Sequence, residues 1–253
     1  MTYVSTPRTI DPRLTIGTCL STTFAVFGRN FLPFMALGLV IGLPGLGISL
    51  KDDLLPSETG AGYSASGFVD MFASALTAGV VVYGTFQDLR GAPASFGAIF
   101  NQGASSIGRI VLASLVASLA VVLGTLLLVV PGIMIAMALW VYVPAIVIER
   151  KKIFESFSRS SELTKGRRWI ILGVSAILFT AFAVALLGVN FLFLPSDESA
   201  AGSGGAVVVD EILIYVLAAA YNVVSAVAST VGYYLLRAEK EGVDIDEIAK
   251  VFD

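Results

Sequence analysis

Residues 95–130 read SFGAIFNQGASSIGRIVLASLVASLAVVLGTLLLVV, a short amphipathic stretch that ends in Gly108-Arg109 and continues directly into a long apolar run. The same junction recurs at Gly28-Arg29 and at Gly166-Arg167. Twelve positions before each of these glycines stands an apolar residue, and a second one follows three positions later: Ile16 and Cys19, Phe96 and Ile99, Phe154 and Phe157. This pattern predicts a unit that occurs three times, a helix lying in the membrane interface followed by a membrane hairpin.

The composition agrees with a membrane protein. Apolar residues make up 56% of the 253 residues and charged residues only 14%, which is outside the usual range of soluble proteins. The first long apolar run, residues 31–50, has 20 residues, the length that crosses a hydrocarbon core of about 30 Å. The predicted spans are residues 31–50, 68–89, 110–130, 133–148, 169–194 and 212–236. We therefore expect an all-α polytopic membrane protein with six transmembrane helices in three hairpin units, each preceded by an amphipathic cytoplasmic interfacial helix.

The expected organisation is a single integral membrane domain over residues 1–253. The predicted subdivisions are an N-terminal tail (1–13), three repeat units (14–89, 92–148 and 151–236) and a cytoplasmic C-terminal tail (237–253). Pro131-Gly132 is predicted to form the turn between the third and fourth spans, and Pro144 to bend the fourth span. Gly38 and Gly42, four residues apart in the first span, favour a close approach of another helix.

Basic residues predict the orientation of the chain. With six spans and both ends on one side, fifteen of the sixteen Lys and Arg residues fall on that side, and only Lys51 falls opposite. Because basic loops stay in the cytoplasm, both termini are predicted to be cytoplasmic. We expect a multi-pass membrane protein with the three short amphipathic helices on the cytoplasmic side.

Few residues are candidates for chemistry. The chain has no histidine and a single cysteine, Cys19, so no cofactor, no metal site and no catalytic residues are predicted. Asp70 and Asp88 lie in the second span, where an ionisable group is a functional candidate by default. Their places near the two ends favour the alternative, hydrated carboxylates at the interface. Asn190 and Asn222 lie deeper, where each either hydrogen-bonds between helices or lines a polar path, and the structural role is favoured.

A dense basic surface is the candidate contact site for anionic lipid or for a protein partner. Its members are Arg150, Lys151, Lys152, Arg159, Lys165, Arg167 and Arg168. Anionic headgroups at the cytoplasmic face contribute about 1 kcal/mol for each nearby basic residue. Docking of an acidic partner, such as another membrane-protein subunit, is the second interpretation, and a role in fixing topology alone is the third. Nucleic acid is not an expected partner, because no basic patch is interleaved with aromatic residues in a soluble domain.

The second half of the chain resembles a known family. The motifs are Val129-Val130-Pro131-Gly132-Ile133, then Val143-Pro144-Ala145-Ile146-Val147-Ile148-Glu149, Phe154-Glu155-Ser156-Phe157 with Ser160, Glu162-Leu163-Thr164-Lys165-Gly166, and Tyr233-Tyr234-Leu235-Leu236-Arg237 with Glu241-Gly242-Val243-Asp244-Ile245. They resemble the bacterial multi-span membrane family that includes the membrane domain of glycerophosphoryl diester phosphodiesterases and related inner-membrane proteins. The resemblance implies a similar fold and a location in the bacterial cytoplasmic (inner) membrane. In that family hydrolysis belongs to a separate soluble domain with histidines and acidic metal ligands, so the resemblance does not carry that activity over to this chain.

Three functions are open to such a chain. The first expectation is a non-enzymatic scaffold, accessory subunit or assembly factor that packs against other membrane proteins and lipids, because catalytic groups are missing from the sequence while small-residue helix faces are present. The alternative is a transporter or lipid-handling protein, since internal repeats are common among transporters. An intramembrane enzyme that uses Asp70 or Asp88 comes third.

Overall fold

A computed structural model describes residues 13–54, 61–91, 96–193 and 204–242. Within these ranges the chain forms α-helices joined by short turns and contains no strand, which confirms the predicted all-α class. The N-terminal tail up to residue 12, parts of both predicted outer loops and the C-terminal tail after residue 242 lie outside the described residues.

Ten helices follow one another in the described ranges. They are α1 (Ile16–Arg29), α2 (Phe31–Leu54), α3 (Ala61–Leu89), α4 (Phe96–Ala104), α5 (Ile107–Leu127), α6 (Val129–Ala138), α7 (Tyr142–Ile148), α8 (Ile153–Thr164), α9 (Arg168–Phe193) and α10 (Gly204–Glu241). Helices α1, α4 and α8 stand at the three positions where the sequence repeat predicts short amphipathic helices.

Six helical segments of the described chain are long and apolar enough to cross a membrane, as predicted. They are Phe31–Lys51, Gly67–Leu89, Ile107–Leu127, Val129–Ile148, Arg168–Phe191 and Val208–Glu241. Many of their large apolar side chains are exposed, which suits a surface that faces lipid.

Helix α10 occupies the centre of the bundle, in contact with α1, α2, α3, α7, α8 and α9. The part of this helix from Val223 to Leu236 is largely buried. The predicted close approach at Gly38 and Gly42 is confirmed, and its partner is α10. A Cβ atom on Gly38 would lie 3.0 Å from Cγ2 of Val223, and one on Gly42 would lie 2.8 Å from the Tyr215 ring.

The predicted turn at Pro131-Gly132 is wrong, because both residues lie inside the first turns of α6. The actual turn is a single residue, Leu128, whose extended backbone (φ −161°, ψ 143°) ends α5 and begins α6. Proline suits the first turn of a helix, where its missing N–H has no intrahelical partner. Gly132 allows α6 to pack directly against the backbone of Thr125 in α5.

The fourth candidate span consists of two helices, not one bent helix. The helical path is interrupted at residues 139–141, just before Pro144, which lies in the first turn of α7. A proline ring clashes with the carbonyl four residues earlier, here that of Trp140, so a continuous helix cannot form through this point. Trp140 packs instead against Gly232 of α10, where a side chain would collide with the indole ring.

The helix that contains the sixth predicted span extends beyond it at both ends. Helix α10 begins at Gly204 and ends at Glu241, so residues 237–241, predicted to belong to the C-terminal tail, continue the helix. Gly242 follows with a positive φ of 63° and ends the helix. The extension matters, because it brings Arg237, Glu239, Lys240 and Glu241 into contact with residues of α7 and α8 and of the turns that follow them.

Candidate functional site

The arginine of each Gly-Arg junction makes a polar contact at the end of a later helix. Arg29 forms an ion pair with Asp88, at the end of α3, with 2.5 Å between Nη2 and Oδ2. Arg109 donates to the backbone carbonyl of Arg150, just after α7, at 3.1 Å. Arg167 pairs with Glu239, close to the end of α10. In each case the arginine ties the start of one apolar helix to the end of the helical segment that returns beside it.

A cluster of ion pairs joins α7, α8 and α10 around Glu149. The Glu149 carboxylate accepts from Arg159 Nε at 3.0 Å and from the hydroxyl of Tyr233, and Arg237 lies 3.9 Å away. Glu241 closes the ring, at 2.5 Å from Arg159 and 2.9 Å from Arg237. Burial lowers the pKa of Arg159, but its bonds to Glu149 and Glu241 outweigh that effect and hold the pKa above its usual value. Arg159 therefore stays charged and holds the cluster together.

The seven residues of the predicted basic surface are not equivalent. Arg159 and Arg167 are tied to carboxylates, as described above. Lys151 lies 3.5 Å from Glu149, and Arg168 Nη2 donates to the Ser161 hydroxyl at 3.4 Å. The side chains of Arg150, Lys152 and Lys165 are exposed, and Arg150 adopts a left-handed backbone with φ 52°. Contact of this surface with lipid or a partner stays a prediction, and these three exposed residues are its best candidates.

The two carboxylates of the second span have different surroundings. Asp88 is at the helix end, where it pairs with Arg29 and accepts from Asn30 Nδ2 at 3.1 Å. Asp70 lies near the other end of the span and faces Gly45 of α2, where a Cβ atom would collide with the carboxylate. Asp70 therefore lines a cavity, whereas Asp88 connects the end of α3 to the end of α1.

A cavity of about 250 Å³ lies between α2, α3 and α10. Its polar lining consists of Ser49, Asp70, Ser74, Thr77, Glu211, Tyr215 and Asn222. Glycines of α2 also line this cavity. The Tyr215 hydroxyl of α10 donates to the carbonyl of Leu39 in α2. The two carboxylates and Ser49 lie at the end of the cavity that sequence orientation predicts to face outward. Ser74, Thr77 and Asn222 lie deeper along α3 and α10.

A second cavity of about 320 Å³ lies between α3, α5, α7 and α10. Its polar lining consists of Ser74, Ser114, Trp140, Tyr142, Asn222, Ser225 and Ser229. The hydroxyls of Ser114 and Tyr142 are 2.8 Å apart, linking α5 to α7. Ser74 and Asn222 line both cavities, so a series of polar groups follows α10 from Glu211 to the broken segment before α7.

The two asparagines singled out from the sequence have different roles. Asn190 donates to the carbonyl of Leu186 at 3.0 Å, a bond within its own helix and not between helices as expected. Asn222 is exposed, although it lies in the middle of α10, and it lines both cavities. An exposed amide in the middle of an apolar helix is unusual, since polar groups in lipid are costly without a partner.

Among the described residues, no group of three or more Cys, Asp or Glu side chains is arranged to hold a metal ion.

The sequence of residues 61–238 matches a family described as a domain of unknown function, DUF7847. The chain belongs to this family. No curated protein and no solved structure matches the chain.

The DUF7847 segment contains an interaction that the sequence analysis missed. Ser160 of α8 donates to the Ala138 carbonyl at 2.8 Å and accepts from the Val141 N–H at 3.2 Å. Thr164, one turn later, also donates to the Ala138 carbonyl, at 3.3 Å. The hydroxyls thus satisfy backbone groups that the break between α6 and α7 leaves without helical partners. The available signal was the spacing of Ser156, Ser160 and Thr164, which places small polar residues on one buried face of α8.

Proposed function

We propose that this chain is a non-enzymatic integral protein of the bacterial cytoplasmic membrane that binds the polar part of a membrane lipid in the two cavities along α10. Both termini are cytoplasmic in this proposal, and α1, α4 and α8 lie in the cytoplasmic interface, each before one hairpin unit. The one-sided distribution of basic residues and the three arginine contacts support this arrangement.

The observation that carries the proposal is Asn222, together with Ser74, in the wall shared by the two cavities. Asn222 is exposed in the middle of α10, so the shared wall opens on the side of the bundle. A lateral opening suits a molecule that already resides in the membrane, with its polar part among hydroxyl and amide groups and its apolar part outside. The interrupted segment beside the second cavity supports ligand handling as well, because irregular backbone at membrane depth is tolerated where it is packed in protein or lines a cavity.

Mass spectrometry of the intact protein, extracted in a mild detergent, tests the proposal. The variant Asn222→Leu removes the shared amide, and Asn190→Leu is the matched control, because Asn190 bonds within its own helix and lines neither cavity. We expect lipid adducts on the wild type and on Asn190→Leu, and at least a several-fold loss of adducts on Asn222→Leu. Equal adduct occupancy in all three proteins contradicts lipid binding at this site.

A second candidate function is the scaffold or accessory subunit suggested by the sequence. It is favoured by the exposed side chains of Arg150, Lys152 and Lys165 at the cytoplasmic end, next to a cluster that fixes the helices below them. Such a surface suits anionic headgroups or an acidic partner.

Neutralising these three residues together, as Arg150→Gln, Lys152→Gln and Lys165→Gln, separates the two functions. For an accessory subunit, proteins that copurify with the wild type are lost and the lipid adducts of the cavities are retained. For a lipid-handling protein, the adducts depend on Asn222 and not on the basic residues. The triple variant needs a topology check, because positive charges also direct insertion.

A further inference from the structure

A small cavity lies where the ends of α3 and α7 meet α4, and its volume is about 120 Å³. Its polar side chains are those of Tyr83, Arg90, Gln102 and Arg150. The other described residues of its lining have apolar side chains, and none of the described lining residues is Asp or Glu. Two guanidinium groups around one cavity whose described lining holds no carboxylate favour an anion.

The carboxylates next to these two arginines in the chain have partners of their own. Asp88 pairs with Arg29, with 2.5 Å between Oδ2 and Nη2. Glu149 pairs with Arg159, with 3.0 Å between Oε1 and Nε. Neither carboxylate lines the cavity. The charge of the two arginines is therefore not matched by an acidic side chain of the described lining.

Phe86 holds the Arg90 guanidinium at the cavity. Its central carbon lies 5.3 Å from the centre of the Phe86 ring, a cation–π contact. This contact holds the cation without supplying an oxygen acceptor for its N–H groups, of which arginine has five. Among the described residues, no group accepts a hydrogen bond from the Arg90 guanidinium. Arg90 is thus held in place with donors available for a ligand.

Arg109 fixes the backbone that presents Arg150 to the cavity. Arg150 has a φ of 52°, in the left-handed region that a residue with a side chain rarely adopts. Its carbonyl accepts from Nη1 of Arg109 at 3.1 Å, so the arginine of the second Gly-Arg junction holds this conformation. Strained backbone of this kind persists where the surrounding structure over-determines it, and it is frequent at ligand sites.

Tyr83 and Gln102 add neutral donors from two further directions. The Tyr83 hydroxyl oxygen accepts from Nε2 of Gln87 at 2.8 Å, which leaves the hydroxyl hydrogen available to donate. Gln102 belongs to α4, and its amide carries two N–H donors. Both side chains are half-buried, so they reach the cavity from packed helices. Cationic and neutral donors together suit an oxyanion with several oxygen atoms.

The ends of two helices would by themselves favour basic residues here, because a helix C-terminus attracts cations. That role requires neither a cavity nor the neutral donors of Tyr83 and Gln102. The size of the cavity also points to a ligand. An apolar cavity of about 150 Å³ in another protein takes up benzene, which has six heavy atoms. A phosphate group has five, and arginine binds it through two parallel hydrogen bonds.

We infer that the cavity formed by Tyr83, Arg90, Gln102 and Arg150 binds a terminal phosphate group. Such a group carries a charge between about −1.5 and −2 at pH 7, which matches two arginines. It belongs either to the headgroup of a phosphomonoester lipid or to soluble phosphate, and the recognition chemistry is the same for both. The cavity shares no described lining residue with the two cavities along α10, so this inference does not rest on the proposed function.

Thermal unfolding in a neutral, phosphate-free detergent tests the inference. Inorganic phosphate is compared with chloride at equal ionic strength, and dioleoyl phosphatidate with dioleoylglycerol, which has the same acyl chains and no phosphate. A ligand that binds only the folded state raises the unfolding midpoint. A rise with phosphatidate alone assigns the site to a lipid headgroup, and a rise with inorganic phosphate as well assigns it to soluble phosphate. No rise with either probe overturns the inference.

Two variants with a matched control locate the binding. Arg90→Gln should weaken binding of the active probe at least tenfold. Arg168→Gln removes the same charge from a half-buried arginine of the basic surface that does not line the cavity, and it should bind like the wild type. An equal effect of the two changes overturns the inference, because it shows binding by net charge alone.

Gln102→Glu provides a test that does not remove an arginine. It places a carboxylate beside Arg90 and Arg150, so we expect a higher unfolding midpoint without ligand and no further rise with the probe. A rise as large as that of the wild type overturns the inference.

Discussion

Ser160 and the backbone of Ala138 are 22 residues apart in the chain, yet the Ser160 hydroxyl lies 2.8 Å from the Ala138 carbonyl oxygen, and both residues are buried. The same hydroxyl oxygen accepts from the N–H of Val141, so one side chain bridges both sides of the break between α6 and α7. A buried backbone group without a partner costs about 1–3 kcal/mol. The contact with α8 therefore stabilises the break, and it adds to the ion pairs of Arg159 that hold α8 against the bundle.

Replacing Ser160 with Ala should destabilise the protein by about 1–3 kcal/mol, because the Val141 N–H loses its acceptor and the Ala138 carbonyl keeps only Thr164. Thermal unfolding in detergent, followed by circular dichroism, measures the effect. Ser158→Ala is the matched control, since Ser158 lies on the exposed face of the same helix. Equal melting temperatures of the two variants contradict the bridging role.

Glu149 should be the most sensitive carboxylate of the ion-pair cluster that joins α7, α8 and α10. Its side chain is 15% exposed and accepts from Arg159 and Tyr233. Glu149→Gln removes one of the two carboxylates that compensate Arg159, so we expect a loss of about 1.5–3 kcal/mol, the range for hydrogen bonds to charged groups. Glu162→Gln, on the exposed face of α8, should cost much less. Unfolding midpoints of both variants at low and moderate salt measure the difference, and equal midpoints contradict a central role for Glu149.

The sequence predicts the parts of the fold that depend on hydropathy. Six apolar segments and three short helices were located because burial in lipid and helical periodicity leave a local pattern. The contacts of Arg29, Arg109 and Arg167 were not predicted, since their partners lie between 41 and 72 residues later and no local pattern identifies them. The place of Asn222 in the walls of both cavities was not predicted for the same reason: residues of α2, α3, α5 and α7 that are distant in sequence form the cavity walls around it.

Gly132 should not tolerate a side chain. A Cβ atom there would lie 2.8 Å from the backbone nitrogen and 2.9 Å from Cα of Thr125, and backbone atoms of α5 cannot move aside without separating the hairpin. We expect Gly132→Ala to destabilise the protein by about 1–3 kcal/mol, the range for overpacking. The control Gly188→Ala meets no atom within 4 Å in α9 and should be neutral or stabilising, because alanine favours a helix more than glycine does. Unfolding midpoints of both variants, measured in the same detergent, test this expectation. A Gly132→Ala variant as stable as the wild type contradicts the close packing of α6 on α5.

Cys19 should be protected from thiol reagents as long as α1 stays packed on the bundle. The side chain is fully buried, and burial raises the pKa of the thiol from 9.0 to about 12, although a bond with Thr23 lowers it slightly. Only the thiolate reacts fast, so the native protein should react with iodoacetamide far more slowly at pH 8 to 9 than the protein in denaturant does.

The raised thiol pKa also predicts how stability depends on pH. Between about pH 9 and pH 12 the unfolded chain loses the Cys19 proton while the folded protein retains it, so the unfolded state binds fewer protons and the free energy of unfolding falls as the pH rises. Cys19→Ala should remove this contribution. Ser21→Cys in a Cys19→Ser background, on the exposed face of α1, should react quickly in the native protein and is the matched control for labelling. Equal native labelling rates for Cys19 and for Ser21→Cys show that α1 is not held against α10 as described.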